Sequence, residues 1–136
     1  MSDRFSFGFP AHGRHLAAVR EWCRLLLQNH LPPERLDGLL LALSEACANT
    51  IKYGKPSQME IEVRRPRGRA EIRILRFCRT GEVHCIKSRR LKDVKPGGLG
   101  MRFIAQSVDD MTYAPGGDGS LTLVLTQRCK EGRGGD

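Results

Sequence analysis

The chain has 136 residues and a formal net charge of +8 at pH 7. This length suits one ordinary domain with a buried core and is too short for two. The sequence lacks any uncharged apolar stretch of about eighteen or more residues, and its N-terminus lacks the layout of a secretory signal, which argues against a membrane or secreted protein. We therefore expect one cytoplasmic domain over residues 1–128, followed by a flexible basic, glycine-containing tail over 129–136.

The five cysteines are odd in number, scattered along the chain and without a C-x-x-C pair. Such spacing does not favour a disulfide framework or a zinc site. In a reducing cytosol we expect free thiols.

The positive charge makes anionic partners worth considering, namely nucleic acid, a nucleotide or an acidic protein surface. Arginines cluster at residues 64–69, but aromatic residues are not interleaved with them. The usual stacking platform for single-stranded nucleic acid is therefore missing. We interpret residues 64–69 as a solvated turn and expect no nucleic-acid or membrane partner. DNA binding through this turn is the alternative.

Taken in chain order, three phenylalanines that alternate within residues 5–9 predict a strand with one buried face. Apolar residues then recur at helical spacing and predict an amphipathic helix over 15–31. Pro33 suits the first turn of a second helix, which we predict over 33–53 and ending at Gly54.

The rest of the chain predicts strands in hairpins rather than single strands between helices. In order, we predict strands over 59–63 and 72–74, a third helix beginning inside or just after the glycines at 97–100, and strands over 112–115 and 120–127. This order predicts an α+β fold, a two-layer α/β sandwich. Its sheet would be mixed but mainly antiparallel, with three helices on one face.

Two polar residues interrupt the apolar second helix, in the run LLLALSEACANTIKYG. Glu45 and Asn49 are four positions apart, so they lie on one face of the helix. One interpretation is that this face simply meets solvent. The functional interpretation makes Asn49 an oxygen ligand for a hard cation and Glu45 a nearby base.

A glycine cluster precedes the third predicted helix. Gly97, Gly98 and Gly100 can bring backbone N–H groups close to an anion at the positive end of that helix. A plain helix-entry loop is the alternative. Together with Glu45 and Asn49, the glycines indicate a site for a magnesium nucleotide.

Two segments resemble known motifs. SEACANTIKYG resembles the N-box of the Bergerat-fold ATP-binding superfamily, which includes DNA gyrase and histidine kinases, and PGGLGMRFIAQSVDDMTY resembles its G2 box. The single-domain length, the Ser44-Glu45-Ala46 lead-in and the run 103–111 are most similar to the bacterial anti-sigma-factor serine/threonine kinases. The resemblance covers about residues 5–128.

This resemblance implies ATP and Mg²⁺ as cofactors, Glu45 as general base toward a serine of an anti-anti-sigma protein, and Asn49 as the magnesium ligand. It also implies a homodimer whose partners are the anti-anti-sigma protein, a sigma factor, or both. Cofactor binding is implied for Asn49, Arg79, Gly81, Gly97, Gly98, Leu99, Gly100, Met101 and Thr122.

The sequence departs from this family at the third motif, the G1 box. There an aspartate two residues before a glycine accepts a hydrogen bond from the adenine amino group. Here the glycine is Gly81, and Arg79 holds the aspartate position in RFCRTGEVH. Arginine has five donors and no acceptor, so it cannot make this contact.

Two functions of different class follow. The chain is either an active serine kinase that holds adenine through another residue or a water, or a degenerate binding module. Such a module would capture a sigma factor or its antagonist without ATP. Nucleotide binding in which Arg79 meets a carbonyl of a guanine-type base lies between them.

Overall fold

The computed structural model describes residues 3–79 and 107–130. In chain order the elements are β1 (Asp3–Pro10), a 3-10 turn (Gly13–His15), α1 (Leu16–Leu27), α2 (Pro33–Asn49), a π-helical turn (Thr50–Gly54), β2 (Gln58–Arg65), β3 (Arg69–Arg79), β4 (Asp110–Pro115) and β5 (Ser120–Arg128). The five predicted strands and the first two predicted helices are present, although α1 ends earlier than predicted. The glycine loop and nearly all of the predicted third helix lie outside the described residues.

The strands form one sheet in the order β1-β2-β3-β5-β4. Each neighbouring pair of described strands is antiparallel, so the prediction of a mixed sheet is wrong for them. For β2–β3 and β4–β5 the reason is local, because each of these pairs is a hairpin joined by a short turn. Gly68 and Gly119 supply the positive φ angles, +81° and +84°, that these turns need.

The core lies between the two helices and one face of the sheet. Helix α1 buries three side chains spaced four apart, and α2 buries seven along its length. On the sheet, alternate residues of β2 and β3 are buried, as period-two patterning requires. The alternating buried residues of these two strands are Met59, Ile61, Val63, Ala70, Ile72 and Ile74. The described chain is therefore an α+β sandwich with two helices on one face of the sheet.

The cysteines within the described residues divide into two groups. Cys23, Cys47 and Cys129 are free, and burial raises the pKa of the Cys23 thiol to about 12. Cys78 at the end of β3 is disulfide-bonded, so the expectation of free thiols is wrong for this residue. Spacing along a sequence does not reveal which cysteines approach each other in space.

Neither α1 nor α2, nor any other helix within residues 3–79 and 107–130, is long and apolar enough to cross a membrane.

Candidate functional site

The C-terminal end of α2 changes its winding. After Asn49 the chain continues without a break into the π-helical turn Thr50–Gly54. Lys55 ends this turn in the left-handed conformation, with φ +47°, and its N–H donates to the carbonyl of Thr50 at 3.2 Å. Single π turns of this kind occur frequently at functional sites. The predicted helix end at Gly54 is confirmed, with a wider last turn than the sequence indicated.

Strand β3 carries a bulge near its C-terminal end. Between Ile74 and Cys78, four residue steps of β3 face only two steps of β5. Arg76 within the bulge has φ +49°, a conformation that is uncommon for a residue with a side chain. As a result Phe77, which is 1% exposed, takes the core position that simple alternation would give to Arg76.

These two irregular segments border one pocket of about 290 Å³. This volume lies near the lower end of the range of small-molecule sites, about 300–1,000 Å³. Three places in the chain line it: the end of α2 and the residues after it, the end of β3, and the β4–β5 turn. The lining residues are Thr50, Gly54, Pro56, Arg76, Phe77, Cys78, Arg79, Asp118 and Ser120.

One wall of the pocket contains a buried hydroxyl group. Thr50 is 1% exposed, and its Oγ1 has no hydrogen-bond partner within the described part of the chain. A buried polar group without a partner costs about 1–3 kcal/mol. A ligand with a polar atom in this pocket could offset that cost.

The β4–β5 turn adds a carboxylate to the lining of the pocket. Asp118 Oδ1 accepts hydrogen bonds from the Ser120 hydroxyl and from the Ser120 N–H, the latter at 3.1 Å. These bonds, helped by the nearby charge of Arg79, hold the pKa of Asp118 below its usual value. The carboxylate is therefore ionised at neutral pH and acts only as an acceptor.

Arg79 and Arg76 bring positive charge to the same pocket. Arg79 is the last residue of β3, and its Nη1 donates to the backbone carbonyl of Asp118 at 3.4 Å. Arg79 also pairs with Ser120 in the β3–β5 ladder, so the arginine lies directly beside the turn. Arg76 forms an ion pair with Glu60 of β2.

The structure places the predicted site residues in three groups. Arg79 lines the pocket, and Asn49 immediately precedes the lining residue Thr50. Glu45 lies one helical turn before Asn49, and both side chains are half-buried. Thr122 is the β5 residue opposite the bulge. Glu45, Asn49 and Thr122 do not line the pocket. The predicted residues Gly81, Gly97, Gly98, Leu99, Gly100 and Met101 lie outside the described residues.

Sequence reasoning missed Thr50, Arg76 and Asp118. Thr50 directly follows the predicted ligand Asn49, and its polar side chain was the signal that could have identified it as a site residue. A charged residue two positions after Ile74, where the β3 alternation expects an apolar one, was a signal for the bulge at Arg76. Asp118 lay within a turn that was interpreted only as a connection.

A comparison with protein families identifies the class of the protein. The profile of the histidine kinase-like ATPase domain matches residues 9–126, which is most of the chain. The chain belongs to the histidine kinase-like ATPase domain family, and the superfamily predicted from the N-box and G2 box is confirmed. No curated protein sequence matches the chain. Membership of the anti-sigma-factor kinases stays a prediction.

Proposed function

We propose that the protein is a regulator similar to the anti-sigma-factor serine kinases. It binds a magnesium nucleoside triphosphate, ATP by the resemblance, and phosphorylates an anti-anti-sigma protein in a partner-switching pathway. The observation that carries this proposal is the pocket at the C-terminal end of α2, directly beyond Asn49, in a chain of the histidine kinase-like ATPase family. We further propose that it acts in the cytoplasm as a homodimer.

The donor groups present fit a magnesium nucleotide rather than a metal held by protein alone. Within residues 3–79 and 107–130, no group of three or more His, Cys, Asp or Glu could hold a metal ion. Mg²⁺ commonly takes one or two protein oxygens and completes its shell with phosphate oxygens and water. Asn49 would be the protein ligand, through its side-chain oxygen.

Glu45 supplies the base in this proposal. Its carboxylate takes the proton of the substrate serine hydroxyl, whose oxygen forms a bond to the γ-phosphorus while the bond to the leaving ADP oxygen breaks. Bound Mg²⁺ supplies charge neutralisation on the phosphates. One turn of α2 separates Glu45 from Asn49, which places base and metal ligand on the same face of one rigid helix.

Arg79 supports a second candidate function. It lines the pocket where the family uses an aspartate, and it offers donors only. In this alternative the protein is a degenerate member that captures a sigma factor or its antagonist without ATP.

The test is calorimetric titration of the full chain with Mg-ATP, followed by transfer of labelled phosphate to candidate anti-anti-sigma proteins. We expect Asn49→Ala to abolish magnesium-dependent nucleotide binding, because the protein ligand of the metal is lost. Glu45→Ala should keep nucleotide binding and lose phosphoryl transfer by at least about 100-fold, as for a removed general base.

Two exposed positions give matched controls. Asn29→Ala lies in the turn after α1, and Glu34→Ala lies at the first turn of α2, at the end away from the pocket. Both should bind nucleotide like the unmodified protein. Unchanged affinity in Asn49→Ala would contradict the role of Asn49, and transfer persisting in Glu45→Ala would place the base elsewhere. No nucleotide binding by the unmodified protein would favour the binding module.

A further inference from the structure

The pocket contains a carboxylate that could take over the contact that Arg79 cannot make. We propose that Asp118 is the residue that recognises the base, accepting a hydrogen bond from an exocyclic amino group of a purine, and that Arg79 positions it. This inference rests on the proposed function, because it concerns the base of the nucleotide bound there. In this proposal Arg79 does not contact the amino group of the base; it holds the turn that carries Asp118, which does.

Among the described residues that line the pocket, Asp118 is the one carboxylate. Its Oδ1 accepts two hydrogen bonds from Ser120, one from the N–H and one from the hydroxyl. A carboxylate has two oxygens and about four lone-pair sites, so this arrangement fixes its direction and leaves acceptor capacity at Oδ2. The amino group of a purine is a donor that suits this capacity.

Arg79 holds the backbone of the same turn. Its Nη1 donates to the Asp118 carbonyl at 3.4 Å, and its neighbour in the β3–β5 ladder is Ser120. Gly119, between these two turn residues, has φ +84°, and a Cβ built on it would lie 3.4 Å from Arg79 Nη1. The turn therefore packs directly against the guanidinium group, which is the contact expected of a positioning residue.

A second, independent observation indicates that the pocket takes a polar ligand. Thr50 is one of the lining residues, and its Oγ1 is buried and without a hydrogen-bond partner in the described residues. A hydroxyl can donate to a ring nitrogen or accept from a ring N–H. Thr50 and Asp118 thus give the pocket one adaptable group and one acceptor, which together fit the edge of an amino-bearing purine.

The test compares three magnesium nucleoside triphosphates that differ at the base. ATP carries a 6-amino group, GTP a 2-amino group, and ITP neither. We expect ATP or GTP to bind about tenfold or more tightly than ITP, since a hydrogen bond to a charged acceptor typically contributes this much. Whichever of the two is preferred identifies the amino group that Asp118 accepts from.

Asp118→Asn should change the preference among the three nucleotides, which a substitution at a merely structural residue would not do. The asparagine oxygen can still accept from Ser120, but an NH₂ group replaces the second carboxylate oxygen. We expect this variant to lose its preference for the amino-bearing nucleotide and to bind ITP at least as tightly. Asp37→Asn makes the same chemical change at an exposed site in the N-terminal half of α2, and it should keep the original preference.

Arg79→Asp tests the positioning contact. It removes the donor to the Asp118 carbonyl and places a second negative charge beside the turn, so nucleotide affinity should fall about tenfold. A gain in ATP affinity would overturn the inference, because the acceptor would then belong at position 79.

The remaining outcomes separate this inference from the proposed function. Binding of all three nucleotides with equal affinity would overturn the role of Asp118 alone. An unchanged preference in Asp118→Asn would do the same. If none of the three nucleotides binds the unmodified protein, both the inference and the proposed function fail.

Discussion

Helix α2 and strand β5 run between two ends of the molecule that satisfy their polar groups in different ways. At one end, which we call the paired end, the start of α2 meets the C-terminal end of β5, and the buried Gln127 side chain has hydrogen-bond partners for both its oxygen and its nitrogen. At the other end, the π-helical turn meets the start of β5, and a buried hydroxyl lacks a partner among the described residues. The comparison suggests that the first end contributes mainly stability, whereas the second gives up stability to make a pocket.

The paired end is organised by Gln127, which is 4% exposed. Its Oε1 accepts from the Asp109 N–H at 2.9 Å, and its Nε2 donates to the carbonyls of Arg35 at 2.9 Å and Ser107 at 3.2 Å. Asp109 in turn accepts from the Arg35 guanidinium and from the Arg128 N–H, the latter at 2.7 Å. This cluster ties α2 to β5 and to the residues just before β4.

The pocket end combines several irregular features instead. Arg76 has a positive φ inside the β3 bulge, and the chain winds as a π turn before Lys55. Such conformations cost about 1–3 kcal/mol where they are strained, and they persist where the surrounding structure holds them. An observed cluster of them beside a pocket supports a functional site at this end.

The largest expected effect is at the paired end, in Gly38→Ala. A Cβ at this position would lie 2.6 Å from the Ser107 carbonyl oxygen and 3.1 Å from Gln127 Nε2. Because the nearer atom is backbone, relief requires α2 to move away from the cluster. We expect a loss of about 3 kcal/mol in the free energy of unfolding, near the top of the usual range for overpacking, measured by urea denaturation.

Gly13→Ala is the control, since nothing lies within 4 Å of a Cβ at that position. Its stability should change by less than about 0.5 kcal/mol. Alanine favours a helix over glycine by about 0.5–1 kcal/mol. Without a clash, this preference would leave the stability of Gly38→Ala unchanged or higher. Such a result would show that the two ends are not packed differently.

The next effect in size is the acid sensitivity of the paired end. Burial tends to raise the pKa of Asp109, but the hydrogen bonds from Arg35 and Arg128 and their charges hold it below its usual value. A lowered folded-state pKa contributes stability above the unfolded value, about 3.9, and that stability is lost as pH falls through the folded value.

We expect Asp109→Asn to cost about 2 kcal/mol at pH 7, typical for a hydrogen bond to a charged group. The difference from the unmodified protein should shrink as the pH falls below about 4. Asp37→Asn, whose side chain is 65% exposed, should show a difference near zero throughout. A constant penalty for Asp109→Asn across this pH range would mean that its charge adds nothing to the cluster.

The regular elements could be predicted from the sequence because their signals are local. The alternation in β2 and β3 is carried by neighbouring residues, and the end of α2 is marked by Gly54. The short turns predict the β2–β3 and β4–β5 hairpins and therefore the antiparallel pairing of these strands. The motif resemblance added the family, which the match over residues 9–126 confirms.

The pocket could not be predicted in the same way. The β3 bulge is a shift in register against β5, and register depends on a partner strand that follows about forty residues later. The paired end has the same difficulty, since Gln127 contacts the carbonyl of Arg35 across 92 positions of sequence. Thr50 can be recognised as polar from the sequence, but whether its hydroxyl finds a partner among the described residues depends on how three distant segments meet.

The smallest expected effect has the opposite sign and lies at the pocket end. Thr50→Val keeps the shape of the side chain and removes the hydroxyl that has no partner in the described residues. The empty protein should gain about 1 kcal/mol in stability, because the cost of burying the unpaired group disappears. Thr112→Val, at an exposed position of β4, should change stability by less than about 0.5 kcal/mol.

The same Thr50→Val variant should bind Mg-ATP more weakly than the unmodified protein, since the hydroxyl that could bond to the base is gone. Stability gained and affinity lost in one substitution would show that the unpaired hydroxyl is kept for a ligand. A loss of stability would mean instead that Thr50 is already satisfied within the folded chain. The two ends of α2 would then differ in their winding but not in how fully their polar groups are paired.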